Sequence, residues 1–217
     1  MLFIVSTPIG NLKDITLRAI ETLREVDLIL AEDTRRTSII LNDHLIKNKK
    51  MLSYNDANKT RRTKETIELL RQGKDIALVS DAGTPGISDP GFYLIREAIK
   101  YNIQIIPIPG PTALIAALVC SGLPTDRFEF FGFIPKKQGQ KEKFFKNLEE
   151  KTIIFYESPH RIIKTLKLMN ELIPDKKIVI ARELTKRFEE FIRGTVKEVY
   201  NKLKNKQLKG EIVVIIH

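Results

Sequence analysis

One regularity narrows what this sequence can fold into: short apolar runs alternate with stretches of helical period through the first half of the chain. Residues 2–6, 27–31, 51–54, 75–80 and 104–108 read as strands. Residues 16–26, 34–44, 63–72 and 90–101 read as helices, the first with Leu17, Ile20, Leu23 and Val26 along one side and the third stopped by Gly73. Alternation of this kind builds an α/β fold around a largely parallel sheet. Pro107-Ile108-Pro109-Gly110-Pro111 then interrupts any regular element. It separates an expected N-terminal domain, residues 1–109, from an expected C-terminal domain, residues 110–217. In the second, residues 112–121, 140–150, 159–173 and 196–206 read as helices, with Ile162, Leu166, Met169 and Ile173 in line along the third. Residues 128–134, 152–156, 177–181, 189–194 and 211–216 read as strands, and this larger share of strand predicts a mixed second sheet.

Hydrophobic residues make up 42% of the chain, enough for packed cores, so charge says more about partners. The formal net charge is +10 and it is uneven. Residues 1–109 hold 16 basic and 14 acidic side chains, whereas residues 110–217 hold 21 and 13. A basic second half suits a polyanion, nucleic acid first; a solvated lysine-rich surface accounts for it equally well. No run reaches the ~18 uncharged apolar residues of a membrane helix. Met1-Leu2-Phe3-Ile4-Val5 has no basic segment before it, as a secretory signal would, so a cytoplasmic protein without membrane contact is expected. The single cysteine, Cys120, builds neither a disulfide framework nor a Cys-based zinc site, and its apolar surroundings predict a buried thiol. His44, His160 and His217 show no metal-ligand spacing, so no metal is expected.

Ligands of open parallel sheets bind beyond the carboxyl ends of the strands. The segments that follow strands therefore carry the chemistry. Ser80-Asp81-Ala82-Gly83-Thr84-Pro85-Gly86-Ile87-Ser88-Asp89-Pro90-Gly91 holds three glycines and two prolines in twelve residues. Such a loop is rigid, exposes its amides and lets a ligand approach the main chain. An ordinary strand-to-helix turn needs only about 2–6 residues, so this one reads as a ligand loop. There is no G-x-G-x-x-G after a strand, no G-x-x-x-x-G-K-[ST], no H-E-x-x-H and no G-x-S-x-G. These absences argue against a standard dinucleotide fold, a P-loop enzyme and a nucleophile-elbow hydrolase.

In order along the chain, Ser6-Thr7-Pro8-Ile9-Gly10-Asn11-Leu12, Ala31-Glu32-Asp33-Thr34-Arg35, the loop of residues 80–91, Pro109-Gly110-Pro111-Thr112-Ala113 and Tyr156-Glu157-Ser158-Pro159-His160-Arg161 resemble the small-subunit rRNA methyltransferases of the tetrapyrrole-methylase-like superfamily. The resemblance spans essentially the whole chain, and the combination is highly specific although each motif alone is weak. It implies two α/β/α domains with S-adenosylmethionine folded in the cleft between them, and a homodimer. The implied reaction is 2′-O-methylation of a cytidine ribose in the decoding centre of 16S rRNA, with the small ribosomal subunit as partner. Members often carry a further C-terminal extension. The given sequence reaches His217, just after its last expected strand; if such an extension helps grip RNA, the basic segments here would be expected to do more of that task.

The resemblance also distributes roles. Ser80, Asp81, Ala82, Gly83, Thr84, Ile87 and Ser88 would offer backbone groups to the polar ends of the cofactor. Pro8, Thr112 and Ala113 would wall the pocket, and Tyr156, Arg182, Glu183, Leu184 and Gly210 would contribute from the second domain. A ribose hydroxyl is a poor nucleophile until a nearby group takes its proton; Glu32, Asp33, Glu157 and His160 are the candidates, with none singled out. Plainer roles stand beside these: Glu32 and Asp33 as caps of the next helix, His160 as a hydrogen-bonder at a helix start, Arg182 and Glu183 as an internal ion pair. Arg35, Arg36 and Arg161 are planar forks suited to phosphates. Arg61 and Arg62 join them from residues 55–63, a polar segment expected to be a mobile loop over RNA or a solvated connector. Lys136, Lys137, Lys141, Lys143 and Lys146 are further phosphate candidates. Two competing readings are a small-molecule methyltransferase acting on a tetrapyrrole and a non-catalytic RNA-binding protein.

Overall fold

Five apolar runs of the first half pair side by side in the computed structural model, which describes all of residues 1–217. They are β1 (Leu2–Val5), β2 (Leu28–Ala31), β3 (Met51–Ser53), β4 (Ile76–Val79) and β5 (Ile105–Ile108). The order is β3-β2-β4-β1-β5 and every pairing is parallel. Alternate residues of a strand point to opposite faces, and both faces here are apolar. Val5, Ile29, Ala31 and Val79 pack with Ala19 and Leu23 of α1 (Leu17–Glu25) and Ile40 of α2 (Thr34–Asp43). Leu2, Ile4, Leu30 and Leu78 pack with Ile67 and Leu70 of α3 (Lys59–Arg71) and Leu94 of α4 (Gly91–Lys100). The chain thus leaves β1 toward one face and β4 toward the other. Because β1 and β4 are neighbours, their carboxyl ends border a topological switch point of the sheet, the place where ligands of open α/β sheets bind.

The second half forms its own sheet from β6 (Phe128–Phe133), β7 (Thr152–Glu157), β8 (Lys177–Arg182), β9 (Glu190–Thr195) and β10 (Ile212–Ile216), in the order β6-β7-β10-β8-β9. Only β6 and β7 pair in parallel. Phe145 of α6 (Gln138–Lys146), Leu166 and Met169 of α7 (Ile162–Leu172) and Val199 of α8 (Val196–Leu203) close over Phe155, Ile180 and Val214. The shorter α5 (Ala113–Val119) opens this half, and a reciprocal Thr195–Glu198 capping box starts α8. The two compact units are Met1–Thr112 and Ala113–His217. No helix is long and apolar enough to cross a membrane.

Three local expectations are corrected. Leu17 is 78% exposed. At 100° per residue it lies nearly opposite the stripe that is buried, Ala19, Thr22, Leu23 and Val26. Cys120 is exposed, because the buried side of α5 is Leu114, Ala117 and Leu118 and the helix ends one residue before the thiol. Residues 59–62 are helical rather than part of a mobile loop. Asn55 and Asn58 tie the preceding turn through Asn55 N–H to Asn58 Oδ1 (3.0 Å) and Ala57 N–H to Asn55 Oδ1 (3.2 Å), and Lys59 N–H then donates to the Asn55 carbonyl (2.9 Å).

Phe155 is fully buried in the second core and touches the rings of Phe144 and Phe145. Replacing it with alanine is expected to lower unfolding free energy by about 3–5 kcal/mol. Urea titration followed by circular dichroism measures this, and a loss under about 1 kcal/mol would remove Phe155 from the core account.

Candidate active site

The first site is built where β1 and β4 end. Thr7 and Gly83 exchange two backbone hydrogen bonds, Thr7 N–H to Gly83 O (2.9 Å) and Gly83 N–H to Thr7 O (3.0 Å). Thr7 Oγ1 also donates to the Ser80 carbonyl (3.1 Å), and Ser80 Oγ donates to Gly83 O (3.2 Å). Ser6 Oγ and Thr84 Oγ1 share a further bond at 2.9 Å. Thr84 Oγ1 reaches the Pro111 carbonyl at 3.3 Å, which ties the end of β5 to the same cluster. Ser6 and Thr7 are buried. Gly110 packs so closely on Ser6 that a Cβ there would lie 2.8 Å from the Ser6 Cβ, so the Pro-Gly-Pro turn is a requirement of close approach.

Beyond Thr84 the loop is held from inside by Asp89, a residue the sequence reading quotes but assigns no role. Its Oδ1 accepts from Gly86 N–H (2.8 Å) and Gly91 N–H (2.7 Å). Burial pushes its carboxyl up, against those two amides. Ser88 is held at φ +63°, an uncommon conformation for a side chain with a Cβ. Ala82, Ile87 and Ser88 face solvent, and the N–H groups of Ala82, Thr84 and Ser88 have no acceptor within the chain. Pro8 and Ile9 are buried beneath the loop, and Thr112 lies against Gly83.

Glu32 and Asp33 follow the neighbouring strand β2 and meet the loop through Asp81. Asp33 N–H donates to Asp81 Oδ1 (2.9 Å), Asp81 N–H reaches Glu32 Oε2 (3.4 Å), and Arg36 Nε stands 3.5 Å from Asp81 Oδ2. The two adjacent carboxylates differ. Asp33 caps α2 by accepting from Arg35 N–H (2.9 Å) and grips the Arg35 guanidinium, with Nη2 2.6 Å from Oδ2. Those bonds hold its carboxyl down to about 2. Burial pushes Glu32 up instead, reinforced by the charges of Asp81 and Asp89 and opposed by the Asp81 amide. Of the two, Glu32 therefore holds a proton more readily. Arg35 and Arg36 are exposed. On α3, Arg61 is exposed, whereas Arg62 is mostly covered and paired to Glu65 at 2.7 Å.

In the second unit Glu157 ends β7 fully buried. Its Oε1 accepts from Ser158 N–H (2.7 Å) and Arg161 Nη2 (2.5 Å), and its Oε2 accepts from Thr165 Oγ1 (2.8 Å). Lys141 completes this network, donating to Thr165 Oγ1 at 3.0 Å with its ammonium 4.0 Å from Glu157. Burial pushes Lys141 down against the Glu157 charge, and the expected phosphate contact from Lys141 is corrected to an interior one. His160 is exposed. Tyr156 lies edge-on to Phe130 and Phe133 at centroid distances of 4.9 and 5.7 Å, and burial raises its phenol.

The plainer alternative of an Arg182–Glu183 ion pair does not form: Arg182 Nε bonds Glu190 (2.8 Å), and Lys186 bridges Glu183 (3.1 Å) and Glu211 (3.0 Å). Burial would raise Glu183, but Lys186 and the Glu211 amide outweigh it and lower it. Gly210, at φ +87°, lies directly under the Glu183 side chain, with which any Cβ would collide. Leu184 is buried beside them, and Glu183 and Thr185 both take positive φ. Three of the six positive-φ residues other than glycine, Ser88, Glu183 and Thr185, thus fall in the two strand-end loops with cofactor candidates.

Residues 1–200 match the family described as Tetrapyrrole (Corrin/Porphyrin) Methylases. A Thermotoga maritima protein named ribosomal RNA small subunit methyltransferase I is 49% identical over 217 residues, covering 99% of this chain and 97% of its own length. A Bacillus subtilis protein of the same name is 44% identical over 218 residues, covering 100% of this chain and 74% of its own length. Among solved structures, a cobalt precorrin-4 methyltransferase superposes with a TM-score of 0.70 at 18% identity, over 99% of this chain and 93% of that one. Uroporphyrin-III C-methyltransferase from Thermus thermophilus, solved with S-adenosylhomocysteine, superposes with a TM-score of 0.65 at 17% identity, over 99% and 96%.

The contrast between Glu32 and Asp33 has a consequence for stability. A carboxyl lowered in the folded state stabilises above its unfolded pKa of about 3.9, and that contribution disappears as pH falls toward about 2. Asp33→Asn keeps a capping oxygen but loses the charge. Its urea midpoint is expected below wild type at pH 7, with the gap closed near pH 2. A gap that persists there would contradict the ionic role.

Proposed function

We propose, because the chain belongs to the tetrapyrrole (corrin/porphyrin) methylase family, that it is a methyltransferase transferring a methyl group from S-adenosylmethionine to small-subunit rRNA. The acceptor is the ribose 2′-hydroxyl of a cytidine in the decoding centre of 16S rRNA. The observation that carries this reading is the loop pair joined at Thr7 and Gly83, set at the carboxyl ends of β1 and β4.

The residues present suit the cofactor. The amides of Ala82, Thr84 and Ser88 lack acceptors within the chain, and the exposed Ile87 supplies apolar surface for an adenosine. The Asp81 carboxylate, partly exposed at the start of the loop, suits a ligand with cationic groups. Pro8, Ser80, Asp81, Gly83, Thr112 and Ala113 remain the proposed wall and backbone contacts. Tyr156, Arg182, Glu183, Leu184 and Gly210 are proposed as the second unit's contacts.

Bound S-adenosylmethionine supplies a methyl group on a sulfonium, already activated for displacement. What is asked of the chain is position and a proton acceptor. The acceptor oxygen has to be held about 3–3.5 Å from the methyl carbon and in line. Glu32 takes the hydroxyl proton in this reading: it is half-buried at a strand end, its proton affinity is raised by burial, and it makes no ion pair. Asp33 is occupied as a cap, Glu157 as the centre of a buried network, and His160 remains a secondary candidate. Arg36 and Arg61 are proposed to meet phosphates, with Arg35, Arg62 and Arg161 subordinate because Asp33, Glu65 and Glu157 already hold them.

We further propose a homodimer acting in the cytoplasm on the small ribosomal subunit; the exposed Ile115, Val119 and Phe188 supply apolar surface for a second copy. The tetrapyrrole alternative is supported by the description of the matched family and by fold likeness at 18% identity, whereas the much more similar relatives carry the rRNA name.

The test is methyl transfer from radiolabelled S-adenosylmethionine to small subunits that lack their native ribose methylation, with nuclease mapping. Label is expected on one cytidine ribose. Glu32→Gln is expected to lower kcat by about a hundredfold or more while leaving calorimetric cofactor affinity nearly unchanged. No label on rRNA despite cofactor binding would overturn the substrate, and an unaltered kcat would remove Glu32 as the base.

A further inference from the structure

The second unit carries a concave surface whose chemistry the cofactor loops do not use. Strand β6 is an edge strand, so one side of it has no neighbour, and Phe131 on it is 40% exposed. Between β6 and α6 lies an open depression of about 420 Å³, within the usual size of small-ligand sites. Phe131 and Phe144 form an aromatic wall, their rings edge to face at 4.9 Å. Gln140 and Asn147 line it with exposed side-chain amides.

Charge is distributed unevenly around this wall. Lys151 bridges Glu129 (2.5 Å) and Glu149 (3.0 Å), two carboxylates that also line the depression and that this one ammonium half offsets. Lys143 on the lining, Lys146 further along α6, and Lys136 and Lys137 just before that helix are exposed, and none of these four forms an ion pair within 4.0 Å. The surface therefore combines a flat ring, amide donors and acceptors, and unneutralised ammonium groups.

We propose that this depression holds an unpaired base of the RNA substrate, stacked on Phe131, with the adjoining phosphates met by Lys143 and Lys146. The inference rests on the rRNA reading and adds to it a contact remote in sequence from the cofactor loops. A nucleobase offers a π-face to the ring and polar edges to Gln140 and Asn147, the combination that single-strand binders use. A duplex keeps its bases stacked inside and does not fit this chemistry. A protein partner fits less well, because lysine is depleted at protein interfaces.

Fluorescence titration of an unstructured RNA 12-mer, and of the same sequence as a duplex, tests the proposal. Phe131→Ala is expected to weaken single-strand binding by about tenfold, Phe131→Trp to restore it, and neither to change duplex or S-adenosylmethionine affinity. Lys143→Gln with Lys146→Gln, both on the exposed side of α6, reads the same surface without touching its packing. That pair is expected to reduce the slope of log affinity against log salt by about one unit. Wild-type affinity retained by Phe131→Ala, or an unchanged salt slope, would overturn the base site alone. A change in sedimentation of Phe131→Ala with RNA affinity intact would also overturn it, by assigning the face to a second protein chain. Failure of the wild-type chain to bind or methylate rRNA at all would instead remove the reading beneath it.

Discussion

Two hydrogen bonds between Thr7 and Gly83 join loops that are 76 residues apart in the chain, and the arrangement of the first site follows from them. A parallel sheet leaves the carboxyl ends of neighbouring strands open at its switch point. Here the ends of β1 and β4 are drawn together and then closed by hydroxyls: Thr7 on Ser80, Ser80 on Gly83, Ser6 on Thr84. Each of these groups is buried or nearly so, and a buried polar atom is costly to leave unpaired. The pairing therefore turns a glycine- and proline-rich loop into a fixed surface with its remaining amides directed outward. Gly110 extends the same constraint to β5, because its approach to Ser6 excludes a side chain.

Environment separates carboxylates that look alike in the sequence. Glu32 and Asp33 are adjacent, yet one is buried against a backbone amide and two further acidic groups while the other is fixed by a guanidinium. Glu157 has a third environment, with two cations and a threonine hydroxyl around it and no route to solvent. A proton acceptor has to be free to take up and release a proton; Glu32 is raised by burial and makes no ion pair, Asp33 is lowered by Arg35, and Glu157 is committed to its buried network.

Much of this was legible in the sequence, and what was not has identifiable causes. Strand–helix alternation identified every strand and placed residues 80–91 as the long connection from β4 to α4, because a buried parallel sheet needs continuous apolar strands. Side-chain-driven structure was less visible. The start of α3 depends on Asn55 and Asn58, whose turn carries no hydrophobic signature. Leu17 belongs to an apolar series by spacing, but the sheet selects a different stripe of α1. Lys141 sits among solvated lysines in sequence, and its burial depends on Glu157 and Thr165, 16 and 24 residues away. Asp89 orders its loop through two amides, which composition alone does not distinguish from a polar loop residue. The role of the Tyr156–Arg161 motif came from family resemblance, and the network around Glu157 came from the fold.

The central claim is that the loop fixed by Thr7 and Gly83 is the cofactor surface. Hydrogen–deuterium exchange of the wild-type chain, with and without saturating S-adenosylhomocysteine, tests it without altering any residue. The account predicts slowed exchange at the amides of residues 81–88, with α6 and β6 unchanged. Exchange at residues 81–88 that is the same with and without a bound ligand would contradict it.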